Sequence, residues 1–200
     1  MPPTLVGLIV SALSAYGFAK LEWKGKKTLF SILLLTMMVP STVTMSASYI
    51  VYDTINWVGT ALPILIPGMF GGIGTVFFLR QYMAGLPDEL LDAAKIDGMG
   101  DVRIFLKLIL PLSIPALAAQ GILGFIGCYN DYLAPLLYLS NNDKMHTLQL
   151  VIQHLAGSEV YELPKQMAAC VLAMLPMLLI YFFFQSFILK GISVSSGLKG

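Results

Sequence analysis

Charge is what this sequence has least of. Only 12% of its 200 residues are Asp, Glu, Lys or Arg, roughly half the ~25% of an ordinary soluble domain. Net charge is +1, so no broad field draws the chain to nucleic acid. Histidine and cysteine number two each. Cys128 and Cys170 sit in apolar runs and suggest no disulfide framework. His146 and His154 have no third metal ligand at a useful spacing. There is no Gly-x-x-x-x-Gly-Lys-Ser/Thr phosphate loop, so ATP binding by that route is excluded. No His, Asp and Ser gather as a membrane enzyme would need. No catalytic residue, metal or cofactor is therefore assigned, and no internal repeat or low-complexity tract is evident.

What is present is apolar sequence. Hydrophobic residues make up 57% and mean hydropathy is +0.79. Five apolar segments cover residues 4–19, 29–51, 61–79, 112–139 and 167–189. A spanning helix needs ~20 such residues to cross ~30 Å of hydrocarbon. The expected fold is all-α: a polytopic transmembrane bundle of about five spans, occupying residues 1–189, with a tail at 190–200. Asp131 is the one charge inside a segment. The first segment is short and follows Met1-Pro2-Pro3. Basic charge follows it instead of preceding it, which argues against a cleaved leader. A spanning helix whose start is missing fits better.

The basic residues give orientation. Lys20, Lys24, Lys26, Lys27, Arg80, Lys95, Arg103, Lys107, Lys190 and Lys199 fall on one side if all five segments span. Lys144 and Lys165 fall on the other. The positive-inside rule places the first set, and the C-terminus, in the cytoplasm of a multi-pass plasma-membrane protein. Pro40, Pro63, Pro67, Pro115, Pro135 and Pro176 interrupt or border the spans, as does the cluster Gly68, Gly71, Gly72 and Gly74. These either kink ordinary packing or let helices pivot around a pathway.

The stretch 80–111 is a cytoplasmic-side loop with a shape of its own. Pro87 suits a first helical turn, and Asp88 and Glu89 suit a helix N-terminus. Leu90, Leu91, Ala93, Ala94 and Ile96 predict a short helix with a small-residue surface. Gly98 can end it in a left-handed conformation. Asp101 is expected to cap a second helix with Ile104, Phe105 and Leu108 on one face. Such a helix-turn-helix suits docking and force transfer.

These residues carry a resemblance. Asp92-Ala93-Ala94-Lys95-Ile96-Asp97-Gly98, then nine residues, then Leu108-Ile109-Leu110-Pro111, resembles the "EAA" loop of ABC importer permeases. That pattern reads Glu-Ala-Ala, three residues, Gly, nine residues, Ile-x-Leu-Pro. Asp92 stands for the usual Glu and Leu108 for Ile. Asn130-Asp131-Tyr132-Leu133-Ala134-Pro135-Leu136-Leu137 looks like the Trp-Asn-Asp-Phe-Leu-x-Pro-Leu segment of carbohydrate permeases of the maltose-transporter type, with Tyr129 replacing Trp. Thr147-Leu148-Gln149-Leu150 resembles their outer loop, with Gln149 where Pro is frequent. Residues 191–200 resemble their tail.

The resemblance implies the smaller permease subunit of a binding-protein-dependent sugar importer. Its partners would be cytoplasmic ABC ATPase subunits, a second permease subunit, an extracytoplasmic sugar-binding protein and the lipid bilayer, with no nucleic acid. Asp92, Ala93, Ala94, Asp97, Gly98, Leu110 and Pro111 would couple to the ATPase. Asn130 and Asp131 are expected to serve the pathway or an inter-helix hydrogen bond, the bland alternative for Asp131 being a cap where the helix kinks before Pro135. That family usually has six spans, so the first would be absent here. An importer for another solute, a membrane enzyme, and a truncated permease or structural scaffold are the competing readings.

Overall fold

The computed structural model describes residues 2–157 and 163–196; side chains from 186 onward are outside that description. All regular structure among the described residues is helical. The elements are α1 Pro2–Ala19, α2 Lys26–Thr36, α3 Ser41–Thr54, α4 Leu62–Met69, α5 Ile73–Ala84, α6 Glu89–Ile96, α7 Asp101–Ile104, a π-helical turn Phe105–Ile109, α8 Leu110–Leu112, α9 Ile114–Asn130, α10 Leu133–Leu139, a 3₁₀ turn Asp143–Met145, α11 Leu148–Gly157 and α12 Leu163–Ser196.

Among the described residues, two helical stretches are long and apolar enough to cross a membrane, Leu62–Ala84 and Leu163–Gln185. Two broken pairs raise that to four, α2 with α3 and Asp101–Leu112 with α9. The α1 helix is a shorter apolar one.

The expected continuous segments are thus more broken than their hydropathy indicates. Residues 29–51 split before Pro40, because a residue preceding proline is pushed out of the helical region. Residues 61–79 are interrupted after Met69, two residues past Pro67. Residues 112–139 break at Ser113 and again at Asp131–Tyr132. The loop expected from residue 80 begins later, since α5 runs to Ala84 and Arg80 lies inside it. The expected tail continues α12 to Ser196; residues 197–200, including Lys199, lie outside the described residues, as do 158–162 of the expected outer loop.

The chain divides into two compact units. The first comprises residues up to Val39, Gly68–Ile122 and Ser186 onward. At its centre α1 packs along α5 and crosses the junction of α4 and α5, a crossing made possible by missing side chains. A Cβ on Gly7 would stand 2.3 Å from the Gly68 carbonyl oxygen. One on Gly71 would stand 2.1 Å from Ser11 Oγ and 2.6 Å from the Gly7 carbonyl oxygen. Gly71 also has φ +78°, where L side chains are strained. Below this crossing lie Ala12, Ala15, Leu79, Met83, Ile104 and Ile109, all fully buried.

The second unit comprises Pro40–Pro67 and Leu123–Gln185. Tyr49, Tyr52 and Trp57 gather about Tyr138, with Tyr52 edge-on to Tyr138 at 5.4 Å. The Gly59 N–H donates to the Tyr138 carbonyl at 2.8 Å. Asn142 Nδ2 donates to the Gly59 carbonyl at 2.9 Å.

Candidate functional site

The loop between α5 and α9 is built as a stapled pair of helices within the first unit. Asp88 precedes α6, and its carbonyl accepts the Leu91 and Asp92 N–H groups at 2.9 and 3.0 Å. Pro87 lies one residue further out, so it does not occupy the first helical turn as its sequence position suggests. The helix ends in a Schellman motif: Met99 N–H donates to the Ala94 carbonyl, and Gly98 N–H to the Lys95 carbonyl, each at 3.0 Å. Gly98 takes φ +75° with open space where its Cβ would be. Among the described residues, a side chain there is opposed by backbone strain alone.

The second half starts on extended Gly100. Asp101 is the first helical residue, not the cap, and makes no side-chain capping bond. Ile104 and Phe105 point into the core and Leu108 packs against it, the face expected from their spacing. The backbone then widens into a π turn in which Leu110 N–H reaches back to the Phe105 carbonyl. At Ser113 the direction changes by 74° into α9. The buried Ser113 hydroxyl finds no hydrogen-bond partner among the described residues.

The small-residue surface expected of α6 is only half present. Ala94 is 6% exposed and belongs to the core with Leu91, because i and i+3 share a helix face. Leu110 packs against the same core. Asp92, Ala93, Asp97, Gly98 and Pro111 are exposed. Ile96 (87%) and Val102 (73%) are exposed apolar side chains. A cleft of about 710 Å³ opens beside Gly98, Asp101, Arg103 and Lys107.

Sequence reasoning missed what holds this loop to the bundle. Lys20, at the end of α1, is nearly buried, its side chain 4% exposed. Its Nζ donates to the Leu86 carbonyl at 2.6 Å and to Asp88 Oδ1 at 2.5 Å. The hydrogen bond from Lys20, and then its charge, hold the exposed Asp88 carboxyl below the usual carboxylate range. One turn earlier, Tyr16 donates its hydroxyl to the Asp101 carbonyl at 3.3 Å and packs on Phe105 at 5.2 Å. The α1 helix therefore grips the start of each helix of the loop. Spacing gave one signal, Tyr16 and Lys20 at i and i+4. Read from sequence, Lys20 counted only as an orienting charge. Arg80 did too, yet its Nε donates to the Phe18 carbonyl at 3.3 Å and its guanidinium covers Phe30 at 4.2 Å.

Asn130 and Asp131 belong to the second unit. Asp131 Oδ1 accepts the Ala134 N–H at 3.3 Å, which caps the start of α10. Asn130 lines a cleft of about 480 Å³ whose described lining residues do not include Asp131. The two neighbours thus have different surroundings. His146, just before α11, and His154, within it, stack at 5.1 Å; no group of three metal-ligating side chains occurs among the described residues.

The sequence pattern of a family described as "Binding-protein-dependent transport system inner membrane component" matches residues 7–194. The arabinooligosaccharides transport system permease protein of Halalkalibacterium halodurans is 34% identical over 196 residues, 98% of this chain and 69% of that protein. The lactose transport system permease protein of Rhizobium radiobacter is 33% identical over 188 residues, 94% of this chain and 68% of that protein. Among solved structures, a bacterial ABC transporter involved in import of the acidic polysaccharide alginate aligns with TM-score 0.77 at 22% identity, covering 92% of this chain and 70% of that one.

Proposed function

On the premise that the chain belongs to the family of binding-protein-dependent transport system inner membrane components, we propose that it forms part of the pathway of an ATP-driven importer for a sugar or oligosaccharide. The family supplies membrane transport subunits, not enzymes, and this chain is a multi-pass membrane protein of that kind. In the proposed assembly it pairs with a second permease subunit. It receives cargo from an extracytoplasmic sugar-binding protein and is driven by cytoplasmic ATPase subunits. Residues 1–189 form the transmembrane domain, with the loop 85–111 and the C-terminus in the cytoplasm.

The observation that carries the reading is the stapled loop. Asp92, Ala93, Asp97, Gly98 and Pro111 offer an exposed docking face, while Ala94 and Leu110 tie that face to the buried core. A displacement imposed by an ATPase on the exposed side is passed through Ala94, Ile104 and Phe105 to α1 and α5. Packed cores transmit such strain because they deform little. Lys20 and Tyr16 complete the link by hydrogen bonds.

The test is sugar uptake by the complete importer carrying Gly98→Val. Forcing a β-branched residue into the left-handed region costs about 1–2 kcal/mol, enough to displace a loop whose position is its function. Uptake is expected to fall about tenfold or more while ATP hydrolysis or assembly persists. Gly98→Asn, which tolerates this conformation, is expected to restore it. Normal uptake by the Val variant would remove the coupling role.

A further inference from the structure

The cleft beside Asn130 has a chemistry the permease role leaves open. Its volume, about 480 Å³, lies within the ~300–1,000 Å³ of small-molecule sites. One wall is α12, where Cys170, Met174, Met177 and Tyr181 recur on one helical face. Facing it are Asn130, from the end of α9, and Gln149, from the first turn of α11. Tyr129 holds α9 to α12 through a 3.0 Å hydrogen bond from its hydroxyl to the Ala173 carbonyl, one residue from Asn130. None of the described residues lining the cleft is charged.

From this we infer that the cleft binds an uncharged, polyhydroxylated ligand, with the Asn130 and Gln149 amides as its polar contacts. The inference rests on the carbohydrate-permease reading and narrows it. Each amide offers both donors and an acceptor, the complement of a sugar hydroxyl, which is also both. Apolar and thioether walls suit the C–H faces of a sugar ring. An anionic ligand fares badly here. It would leave water for a site without a described cationic partner, a loss that is large for any unpaired charge. Asp131, next to Asn130 in the chain, adds negative charge.

The test uses the complete importer in proteoliposomes, supplied with a panel of labelled neutral saccharides, including arabinooligosaccharide and lactose, and with an alginate-type oligouronate. Uptake of at least one neutral saccharide is expected to exceed that of the oligouronate. For that saccharide, Asn130→Leu and Gln149→Leu are each expected to raise the half-saturating concentration roughly three- to tenfold, the worth of one hydrogen bond. Gln153→Leu, exposed on α11 and outside the cleft, is expected to change nothing. Co-purification of the second permease and the ATPase checks that each variant assembles. Oligouronate uptake equal to that of the best saccharide overturns the inference. So does saccharide uptake indifferent to both cleft substitutions. If no saccharide is imported while the assembled complex hydrolyses ATP, the inference fails and the permease reading stands. If no complex forms even with the unmodified chain, both fall.

Discussion

The two units of this chain solve the same problem in opposite ways. The first builds a closed centre, with Leu79, Met83, Ile104 and Ile109 fully buried and Gly7 and Gly71 bringing backbones into contact, although Ile9 and Met38 on its outside are exposed. The second leaves much of its apolar surface outward. Its α3 helix has no buried residue, and Phe183 on α12 is 75% exposed. In water such a surface would drive collapse. Against hydrocarbon it costs nothing, because lipid tails are as apolar as leucine, and helices there associate through close packing and hydrogen bonds. The difference teaches where mechanical work can pass. A unit with its own core can carry a push from one face to another. A unit finished by its neighbours can shift when those neighbours do.

That contrast breaks most sharply at Gly71. Alanine there meets Ser11 and the Gly7 carbonyl and also adopts a strained backbone. Loss of about 2–4 kcal/mol is expected, read as failure to recover the folded chain from membranes. Recovery at the unmodified level would mean that the first unit is not closed at this crossing. The Gly98→Val importer comes next, with its expected loss of uptake.

Lys20→Met should cost about 1–3 kcal/mol, since it leaves the Leu86 carbonyl without its charged donor. It should loosen residues 86–98 first, visible as faster hydrogen exchange there. Asp88 gives this a pH signature. Its carboxyl is held below its ordinary value in the folded chain. The ion pair's contribution is therefore complete at neutral pH and is lost as pH falls below about 4. Because Asp88 is exposed, the Leu86 hydrogen bond should outlast it. Equal exchange rates in Lys20→Met and the unmodified chain would unseat the α1 brace.

Smaller effects are expected in the second unit. Asp131→Ala should cost about 0.5–2 kcal/mol and Asp131→Asn almost nothing, as asparagine caps nearly as well. If the Asn variant folds and assembles yet loses uptake, Asp131 serves the pathway as well as the cap. Phe183→Ala should be smallest, within about 0.5 kcal/mol in thermal unfolding of the isolated subunit. A larger loss appearing only in the assembled importer would reveal a neighbour on that face.

Much of this molecule is legible in its sequence. Apolar runs locate the helices because hydrocarbon requires every backbone group to be satisfied within the segment. Gly98 declares a left-handed turn because few other residues fit one. The helix breaks near Pro40 and Asp131 were marked by residue type, although hydropathy alone predicted continuous spans. The candidate loop was legible as a segment and a face for its second helix. For α6, composition could not tell which alanine looks inward. Ala93 and Ala94 are chemically identical, and only the roll of α6 against Leu91 and Ile104 separates them.

Sequence by itself determined the class, the order of helices and the family, because these depend on hydropathy, on glycine and proline, and on motif spacing along one dimension. Tertiary structure alone decided that Lys20 and Tyr16 reach residues 66 to 85 positions away. It alone decided that Gly71 touches Gly7, and that Asn130 meets a cleft while Asp131 turns to its own helix end. Those outcomes depend on how helices cross. A crossing is fixed by the joint shape of two surfaces that no local stretch of sequence contains.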